Sequence, residues 1–341
     1  MPRILVTGGC GYIGSHTMVD LLENGYDVVS IDNLSRSDGS SLKGIEQITG
    51  KRVVNHKIDL CNKQALDDFF RLDHRFDGVV HFAAFKAVGE SVEKPLVYFT
   101  NNVVSHINLL ECVTRYKIPS FIFSSSCSVY GDIDKMPVSE ATPVNAAASP
   151  YGRTKQMCEE ILFDTAPSTD TGFVSLRYFN PVGAHPTGLI GEKSTEKPNN
   201  LVPCITQSAL GLMPQVVVHG DDYPTRDGTC IRDYVHVMDL ARAHRLAFEK
   251  IQKGRRKVEV VNIGTGNGVS VLEMVKTFEK TTGQKLNYRI GPRRAGDVVT
   301  IYSDTTKANK LLDWKPKYTV EDMMETAWKW EQHYRRQGVA K

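Results

Sequence analysis

The sequence lacks several patterns that define whole classes of protein. Its seven cysteines include no C-x-x-C pair and its ten histidines no H-E-x-x-H motif, which argues against a metal site built by the protein. No run of about 18 apolar residues indicates a membrane-spanning helix. A net charge of +3 is too small to indicate a nucleic-acid partner. We therefore expect a soluble cytoplasmic protein with reduced thiols, no secretory leader, and no membrane, nucleic-acid or metal partner.

Short apolar runs alternate with amphipathic stretches over the first half of the 341 residues. This alternation is typical of a parallel sheet covered by helices on both faces, so we predict an α/β fold with a Rossmann-type, doubly wound sheet. The predicted strands lie near 3–7, 27–31, 53–58, 77–82, 120–125 and 172–177. The predicted helices lie near 12–24, 63–72, 96–116 and 150–164.

A glycine-rich segment, Thr7-Gly8-Gly9-Cys10-Gly11-Tyr12-Ile13-Gly14, follows the first predicted strand. Glycines at this spacing let the backbone approach a pyrophosphate at a helix N-terminus, which favours negative charge. Alone, the motif also fits a turn without a ligand, but Asp32 ends the next strand, where a carboxylate can bind the adenosine ribose. That carboxylate would repel a 2′-phosphate, so the sequence favours NAD over NADP, although Arg36 lies nearby.

Two further strand ends carry residues suited to this cofactor. Asp59 follows the third strand, where its carboxylate can contact the adenine or cap the next helix. The fourth strand contains His81, which fits a hydrogen-bonded core histidine, and ends in the small residues Ala83 and Ala84, which allow a dinucleotide to approach. Lys86, in the following loop, can reach a substrate or remain a solvated surface lysine.

A serine, a tyrosine and a lysine are the main catalytic candidates. Ser126 follows the fifth strand, at the sheet edge where open parallel sheets bind ligands. Tyr151 and Lys155 are four residues apart, and Pro150 predicts a helix start that places both on one face. Because a neighbouring cation favours the phenolate, we expect Lys155 to lower the pKa of Tyr151 and so prepare it for proton transfer.

The order of these motifs resembles the extended short-chain dehydrogenase/reductase superfamily and, within it, the UDP-glucose 4-epimerase family. The resemblance covers nearly the full length and rests on the blocks Val6–His16, Ile31–Asn33, Lys86–Ser91, Ser124–Ser126, Tyr151–Lys155, Leu176–Pro181 and Arg232–Val237. It implies an NAD-dependent isomerase of galactose metabolism that interconverts UDP-galactose and UDP-glucose through a transient 4-keto sugar. It also implies a homodimer, paired through the helices near 96–116 and 150–164.

The resemblance implies an NAD-binding domain over 1–180, to which segments near 230–265 return, and a UDP-sugar-binding lobe mainly over 181–341. It makes Tyr151 the base, Ser126 its proton relay and Lys155 the ligand of the nicotinamide ribose. The implied cofactor contacts are Gly8, Gly11, Tyr12, Ile13, Gly14, Asp32, Asn33, Asp59, Leu60, Phe82, Ala83, Ala84, Lys86, Asn101, Ser126, Tyr151, Lys155 and Phe179. The implied substrate contacts are Lys86, Ser126, Tyr151, Asn180, Asn200, Leu201, Val217, His219, Arg232, Arg294, Asp297 and Ile301.

Four of these substrate positions have distinct implied roles. Arg232 and Arg294 match the cations that the family places on the diphosphate, and Asp297 matches its ligand of the uridine ribose. His219 stands where the family usually has phenylalanine, although an imidazole can still stack on uracil. Ile301 occupies a position at which tyrosine closes the space beside the sugar 2-position and cysteine or serine opens it. Because Ile301 is intermediate in size and branched, we expect UDP-glucose and UDP-galactose to be preferred and N-acetylated substrates to be slow or excluded.

Other activities remain as alternatives. A 4,6-dehydratase of the superfamily typically has an Asp-Glu pair where this chain has Cys127-Ser128, and a UDP-glucuronate decarboxylase tends to have Glu at Ser128. A non-catalytic NAD-binding regulator could keep the glycine segment and lose the Ser126, Tyr151 and Lys155 trio, which is intact here. Activity on UDP-GlcNAc and UDP-GalNAc is a further alternative within the same family.

Overall fold

The computed structural model describes residues 1–73, 75–193, 198, 200–253, 258–294 and 297–339, and the side chains of all these except 253 and 337–339. The strands are β1 (Arg3–Thr7), β2 (Asp27–Ile31), β3 (Val54–His56), β4 (Gly78–His81), β5 (Ser120–Ser124), β6 (Gly172–Tyr178), β7 (Asn180–Val182), β8 (Val216–His219), β9 (Ile231–His236), β10 (Val258–Ile263), β11 (Gly268–Ser270), β12 (Tyr288–Gly291) and β13 (Thr300–Ile301).

The α-helices are α1 (Tyr12–Glu23), α2 (Ser41–Thr49), α3 (Lys63–Leu72), α4 (Val88–Glu93), α5 (Pro95–Phe99), α6 (Ser105–Arg115), α7 (Pro150–Thr165), α8 (Leu201–Ala209), α9 (Val237–Lys253), α10 (Val271–Thr282), α11 (Thr306–Leu312) and α12 (Val320–Val339). Cys127–Tyr130 and Ala166–Ser168 form 3₁₀ turns. None of the helices within the described ranges combines the length and apolar character that a membrane span needs.

The main sheet has seven strands in the order β10-β6-β5-β4-β1-β2-β3, and every neighbouring pair is parallel. The prediction of a doubly wound parallel sheet is therefore confirmed, as are all six predicted strands, with end differences of up to two residues. The order reverses between β1 and β4, so the crevice at the carboxyl ends of these strands is where a nucleotide binds in such sheets.

Alternate side chains of the strands bury against opposite layers of helices. In β1, Ile4 and Val6 lie in a core with residues of α1 and α9, whereas Leu5 lies in a core with residues of α3, α6 and α7. Each of these three side chains is fully buried. Because successive side chains of a strand point to opposite faces of the sheet, the apolar residues of β1 enter the two cores alternately. Helices cover both faces.

The helix predicted near 96–116 is interrupted. It begins at Pro95 as α5, continues through a π-helical segment, Thr100–Val104, and resumes as α6. Within the π-helical segment, buried Asn102 accepts a hydrogen bond from Phe85 N and donates to Phe85 O and to Thr154 Oγ1. The interruption therefore lies where the helix is joined to the loop after β4 and to α7.

A second set of elements lies beyond the main sheet. Strand β9 pairs with β7, β11 and β13, β8 pairs with β12, and helices α8, α10 and α12 share a separate apolar core. Strand β10 lies beside β6 in the main sheet, and α9 packs on α1. The division of the chain into two domains at residue 180 stays a prediction.

Candidate active site

The glycine segment forms a tight passage between β1 and α1. Gly8 has φ of 68°, and a Cβ there would lie 2.7 Å from Ala83 N, at the end of the neighbouring β4. A Cβ on Gly14 would lie 2.3 Å from the carbonyl oxygen of Gly8. Gly11 is the N-cap of α1 and, as a glycine, supplies no side chain to the first-turn N–H groups. This backbone cradle at a helix N-terminus fits a pyrophosphate.

Asp32 lies beside this cradle at the end of β2. Its carboxylate accepts hydrogen bonds from Cys10 N at 3.0 Å and Leu34 N at 2.8 Å, and burial raises its pKa. Arg36, which could have attracted a 2′-phosphate, pairs with Glu90 and lies over the Phe85 ring. Since the Arg36 charge is compensated there, the carboxylate at the end of β2 suits NAD rather than a 2′-phosphate.

The remaining cofactor candidates border the same sheet edge. Asn33 accepts from Ser35 N, Leu60 is buried, and Asn101 lies in the π-helical segment. The suggestion that Asp59 caps a helix is wrong, because the Asn62 side chain accepts from Ala65 N at the start of α3. The Asp59 carboxylate instead accepts a hydrogen bond from Cys61 N in its own turn. The contact of Asp59 with the adenine stays a prediction.

Ser126, Tyr151 and Lys155 come together at the carboxyl edge of β5. Ser149 is the N-cap of α7, with its Oγ accepting from Gly152 N, and Pro150 is the first helical residue, as predicted. Tyr151 and Lys155 are consequently one turn apart, with Lys155 Nζ 5.9 Å from the centroid of the Tyr151 ring. Ser126 lies at the N-cap of the following 3₁₀ turn. All three side chains are buried.

The protonation of this trio differs from the sequence-based expectation. Burial raises the pKa of Tyr151, the nearby Tyr178 phenol raises it further, and a hydrogen bond with Ser126 acts in the opposite direction. Lys155 Nζ donates to the Ser124 carbonyl oxygen at 2.7 Å, and burial lowers its pKa to about 8. The prediction of a lowered Tyr151 pKa is wrong for the protein alone, because desolvation is the largest influence on the phenol and the net shift is upward.

The charged residues predicted to bind the diphosphate and the ribose lie close together. Arg294 Nη2 donates to Asp297 at 2.7 Å, and Arg232 Nη2 lies 3.6 Å from the same Asp297 oxygen. Arg232 is on β9, next to Ile301 on β13 in the strand register. Arg294 is 56% exposed and Arg232 16%, so two guanidinium groups and a carboxylate form one partly exposed charged cluster.

The other substrate candidates lie on β7, α8, β8 and β13 or at their ends. Asn180 starts β7, Asn200 is the N-cap of α8, and Leu201 is its first residue. Val217 lies in β8, which ends at the exposed His219, whose Nδ1 is 3.3 Å from Pro292 O. Buried Ile301 shares an apolar cluster with residues that include Val129, Tyr130 and Phe179.

Two structural features were missed by the sequence analysis. Glu192 accepts hydrogen bonds from both Lys86 and Asn200, which are predicted site residues. Behind the trio, Glu159 on α7 and Arg177 on β6 form a buried ion pair. Neither acid belongs to a recognisable motif, and the fold alone brings each to its partner. In the described part of the chain, no three His, Cys, Asp or Glu side chains are grouped to hold a metal ion.

The chain is similar over nearly its whole length to characterised proteins. A family model described as GDP-mannose 4,6 dehydratase matches residues 5–327. The UDP-glucose 4-epimerase 2 of Arabidopsis thaliana is 47% identical, over 96% of this chain and 94% of the relative. The UDP-glucose 4-epimerase of Bacillus subtilis is 46% identical, over 96% of each chain. A crystal structure of UDP-glucose-4-epimerase from Stenotrophomonas maltophila, with bound NAD and formylated UDP-arabinopyranose, has a TM-score of 0.96 at 44% identity, covering 99% of this chain and 100% of that one.

Proposed function

The chain belongs to the UDP-glucose 4-epimerase family of extended short-chain dehydrogenases/reductases, and we infer that it interconverts UDP-galactose and UDP-glucose with NAD as cofactor. The observation that carries this inference is that a glycine cradle and a buried Ser-Tyr-Lys trio lie at the same carboxyl edge of the parallel sheet, with Arg232 of an Arg-Arg-Asp cluster close enough to act on Cys127 beside the trio. The cradle and Asp32 suit NAD, the trio suits proton transfer, and the cluster suits a nucleotide diphosphate.

Tyr151 is the proposed base for the sugar 4-hydroxyl. Ser126 bonds the same oxygen and relays the proton, while Lys155 holds the nicotinamide ribose through N–H donors of its ammonium other than the one bonded to the Ser124 carbonyl. Beside Tyr151, where Lys155 Nζ lies 5.9 Å from the ring centre, NAD would when bound supply the acceptor and donor of the C4 hydride and a second positive charge. That charge opposes the desolvation of the buried phenol and thereby favours its deprotonation.

The alternative reactions need residues that this site does not supply. The family model carries a dehydratase description, but the 3₁₀ turn beside Tyr151 contains Cys127 and Ser128 rather than an Asp-Glu pair. Burial moreover raises the pKa of the Cys127 thiol to about 12, so it is a poor acid for eliminating water. Epimerisation needs only one group that removes and returns a proton.

Turnover without added cofactor is the direct test of this function. Epimerisation has no net redox change, so NAD held in the cleft is regenerated in place. We expect purified protein given UDP-galactose alone to form UDP-glucose in amounts far exceeding the protein, measured by chromatography of the nucleotide sugars. Formation of a single equivalent, or a requirement for stoichiometric NAD, would instead indicate a net dehydrogenase. Protein freed of NAD and then resupplied is the control.

Substrate size is predicted to be limited at Ile301. This branched side chain is buried among Val129, Tyr130 and Phe179, so it has little freedom to move aside for a 2-acetamido group. We expect kcat/KM for UDP-GlcNAc to be at least about tenfold below that for UDP-glucose, since overpacking at a buried site typically costs 1–3 kcal/mol. Replacing Ile301 with serine should narrow the difference, and equal kcat/KM values in the unmodified protein would contradict the proposal.

A homodimer and a cytoplasmic location are proposed as well. The helices α4, α5 and α7 contact one another. The chain from α4 to α7 exposes a set of apolar side chains: Val88, Val92, Leu96, Val97, Val104, Ile107 and Phe163. Such a concentration of exposed apolar residues is typical of a protein interface. Sedimentation velocity should therefore give the mass of two chains, and a single-chain mass would contradict pairing.

The seven free cysteines support a reducing compartment, which cell fractionation can test.

A further inference from the structure

Glu192 lies where predicted cofactor and substrate residues meet. Its Oε1 accepts hydrogen bonds from Lys86 Nζ at 2.8 Å and from Asn200 Nδ2 at 2.9 Å. Lys86 comes from the loop between β4 and α4, 106 residues earlier in the chain, whereas Asn200 begins α8. One carboxylate oxygen therefore joins the residue expected to act on the cofactor side to the residue expected to act on the sugar.

The surroundings of Glu192 keep it in place. Its backbone oxygen accepts from Trp330 Nε1 at 2.9 Å, and its side chain is only 15% exposed. The Lys86 side chain, by contrast, is 59% exposed, and its Nζ lies 5.9 Å from the centre of the Tyr12 ring in the glycine segment. A long, exposed lysine loses considerable rotamer entropy when it is held, so a fixed carboxylate partner can order it before a ligand binds.

We propose that Glu192 is a positioning residue that aligns Lys86 and Asn200 together, and so links retention of the cofactor to binding of the sugar nucleotide. This proposal rests on the proposed epimerase function. Glu192 acts through its two partners rather than on the reacting atoms. Its removal should therefore raise KM and speed the loss of NAD more than it lowers kcat, because the proton-transfer trio lies elsewhere in the cleft.

A second ion pair nearby supplies a matched control. Lys193 pairs with Asp38, in the loop after β2, and lowers its pKa to about 2. This pair also joins the segment after β7 to the main sheet, but neither residue is a predicted contact of cofactor or substrate. If the only role of Glu192 were to hold two parts of the fold together, Lys193→Met would change KM and the rate of NAD release as much as Glu192→Ala.

The test compares Glu192→Ala, Glu192→Gln and Lys193→Met with the unmodified holoenzyme. For Glu192→Ala we expect KM for UDP-galactose and the rate of NAD release to rise about tenfold, because the variant loses the hydrogen bonds that the charged carboxylate accepts. The change in kcat should be less than about threefold. NAD release is read from the absorbance of nucleotide separated from protein by repeated desalting. Glu192→Gln, which keeps an acceptor oxygen of the same reach, should be intermediate, and Lys193→Met should stay within about twofold.

A double-variant cycle completes the test. If Glu192 acts through Lys86, then Lys86→Met combined with Glu192→Ala should release NAD about as fast as Lys86→Met alone. Three results would each overturn the proposal. They are additive effects of Lys86→Met and Glu192→Ala on NAD release, KM and NAD release in Glu192→Gln and Glu192→Ala equal to those of the unmodified protein, and effects of Lys193→Met as large as those of Glu192→Ala. Failure of the unmodified protein to epimerise would overturn the proposed function instead, whereas NAD release still reports on Glu192.

Discussion

Replacing Tyr151 with phenylalanine is expected to lower kcat for UDP-galactose epimerisation by about 10²- to 10⁴-fold, the usual contribution of a positioned acid–base group. The hydroxyl is the only part removed, and the ring remains at the start of α7, where Ser149 caps the helix independently of that hydroxyl. Bound NAD should therefore be retained at the level of the unmodified protein. Chromatographic assay of UDP-glucose, together with the absorbance of released NAD, measures both expectations.

Tyr178→Phe is the matched control for this result. Its phenol is also buried, close to Tyr151, and bonds Ser124 Oγ at 2.6 Å. Loss of that hydrogen bond is expected to change kcat by less than about tenfold. Near-normal activity of Tyr151→Phe would refute the assignment of the base. A comparable loss in both variants would mean that the pocket, rather than one proton, had been disturbed.

The local features of the site follow from local sequence. Pro150 predicts a helix start, and the four-residue spacing from Tyr151 to Lys155 then places them one turn apart, as the structure has them. The positive φ of Gly8 and the close approach of Gly14 to the Gly8 carbonyl are equally local, because they involve one strand end and one helix start, whereas the approach of Gly8 to Ala83 needs the neighbouring β4. Such geometry depends on a few dihedral angles, which residue type largely determines.

Features that depend on long-range contacts were not predicted. The π-helical interruption occurs at Asn102, whose amide bonds the loop after β4 and α7, and no propensity within the helix marks it. Glu192 meets Lys86 only because the chain returns after β7. The direction of the Tyr151 pKa shift was mispredicted because spacing shows the lysine and does not show burial. Sequence spacing gives neighbours, whereas desolvation depends on the complete fold.

Breaking the buried pair of Glu159 and Arg177 is expected to cause the largest loss of stability near the site. Arg177 contacts both carboxylate oxygens, at 3.0 Å to Oε1 through Nε and 2.5 Å to Oε2 through Nη2, and Ser125 Oγ donates to Oε1 at 2.6 Å. The two charged side chains are 4% and 6% exposed. Since Ser125 precedes Ser126 and Glu159 follows Lys155 by one turn, the pair fixes β5, β6 and α7 relative to one another.

Arg177→Leu should lower the free energy of unfolding by about 3–5 kcal/mol, because it leaves the Glu159 carboxylate buried without its cation. Thermal unfolding followed by circular dichroism should show a Tm lower by roughly 10 °C. The double variant Glu159→Leu/Arg177→Met removes both charges together and should recover most of that loss, since a whole buried pair is often replaceable by apolar side chains. If the double variant is less stable than Arg177→Leu, the pair itself stabilises the fold, and the explanation by an unpaired buried charge is wrong.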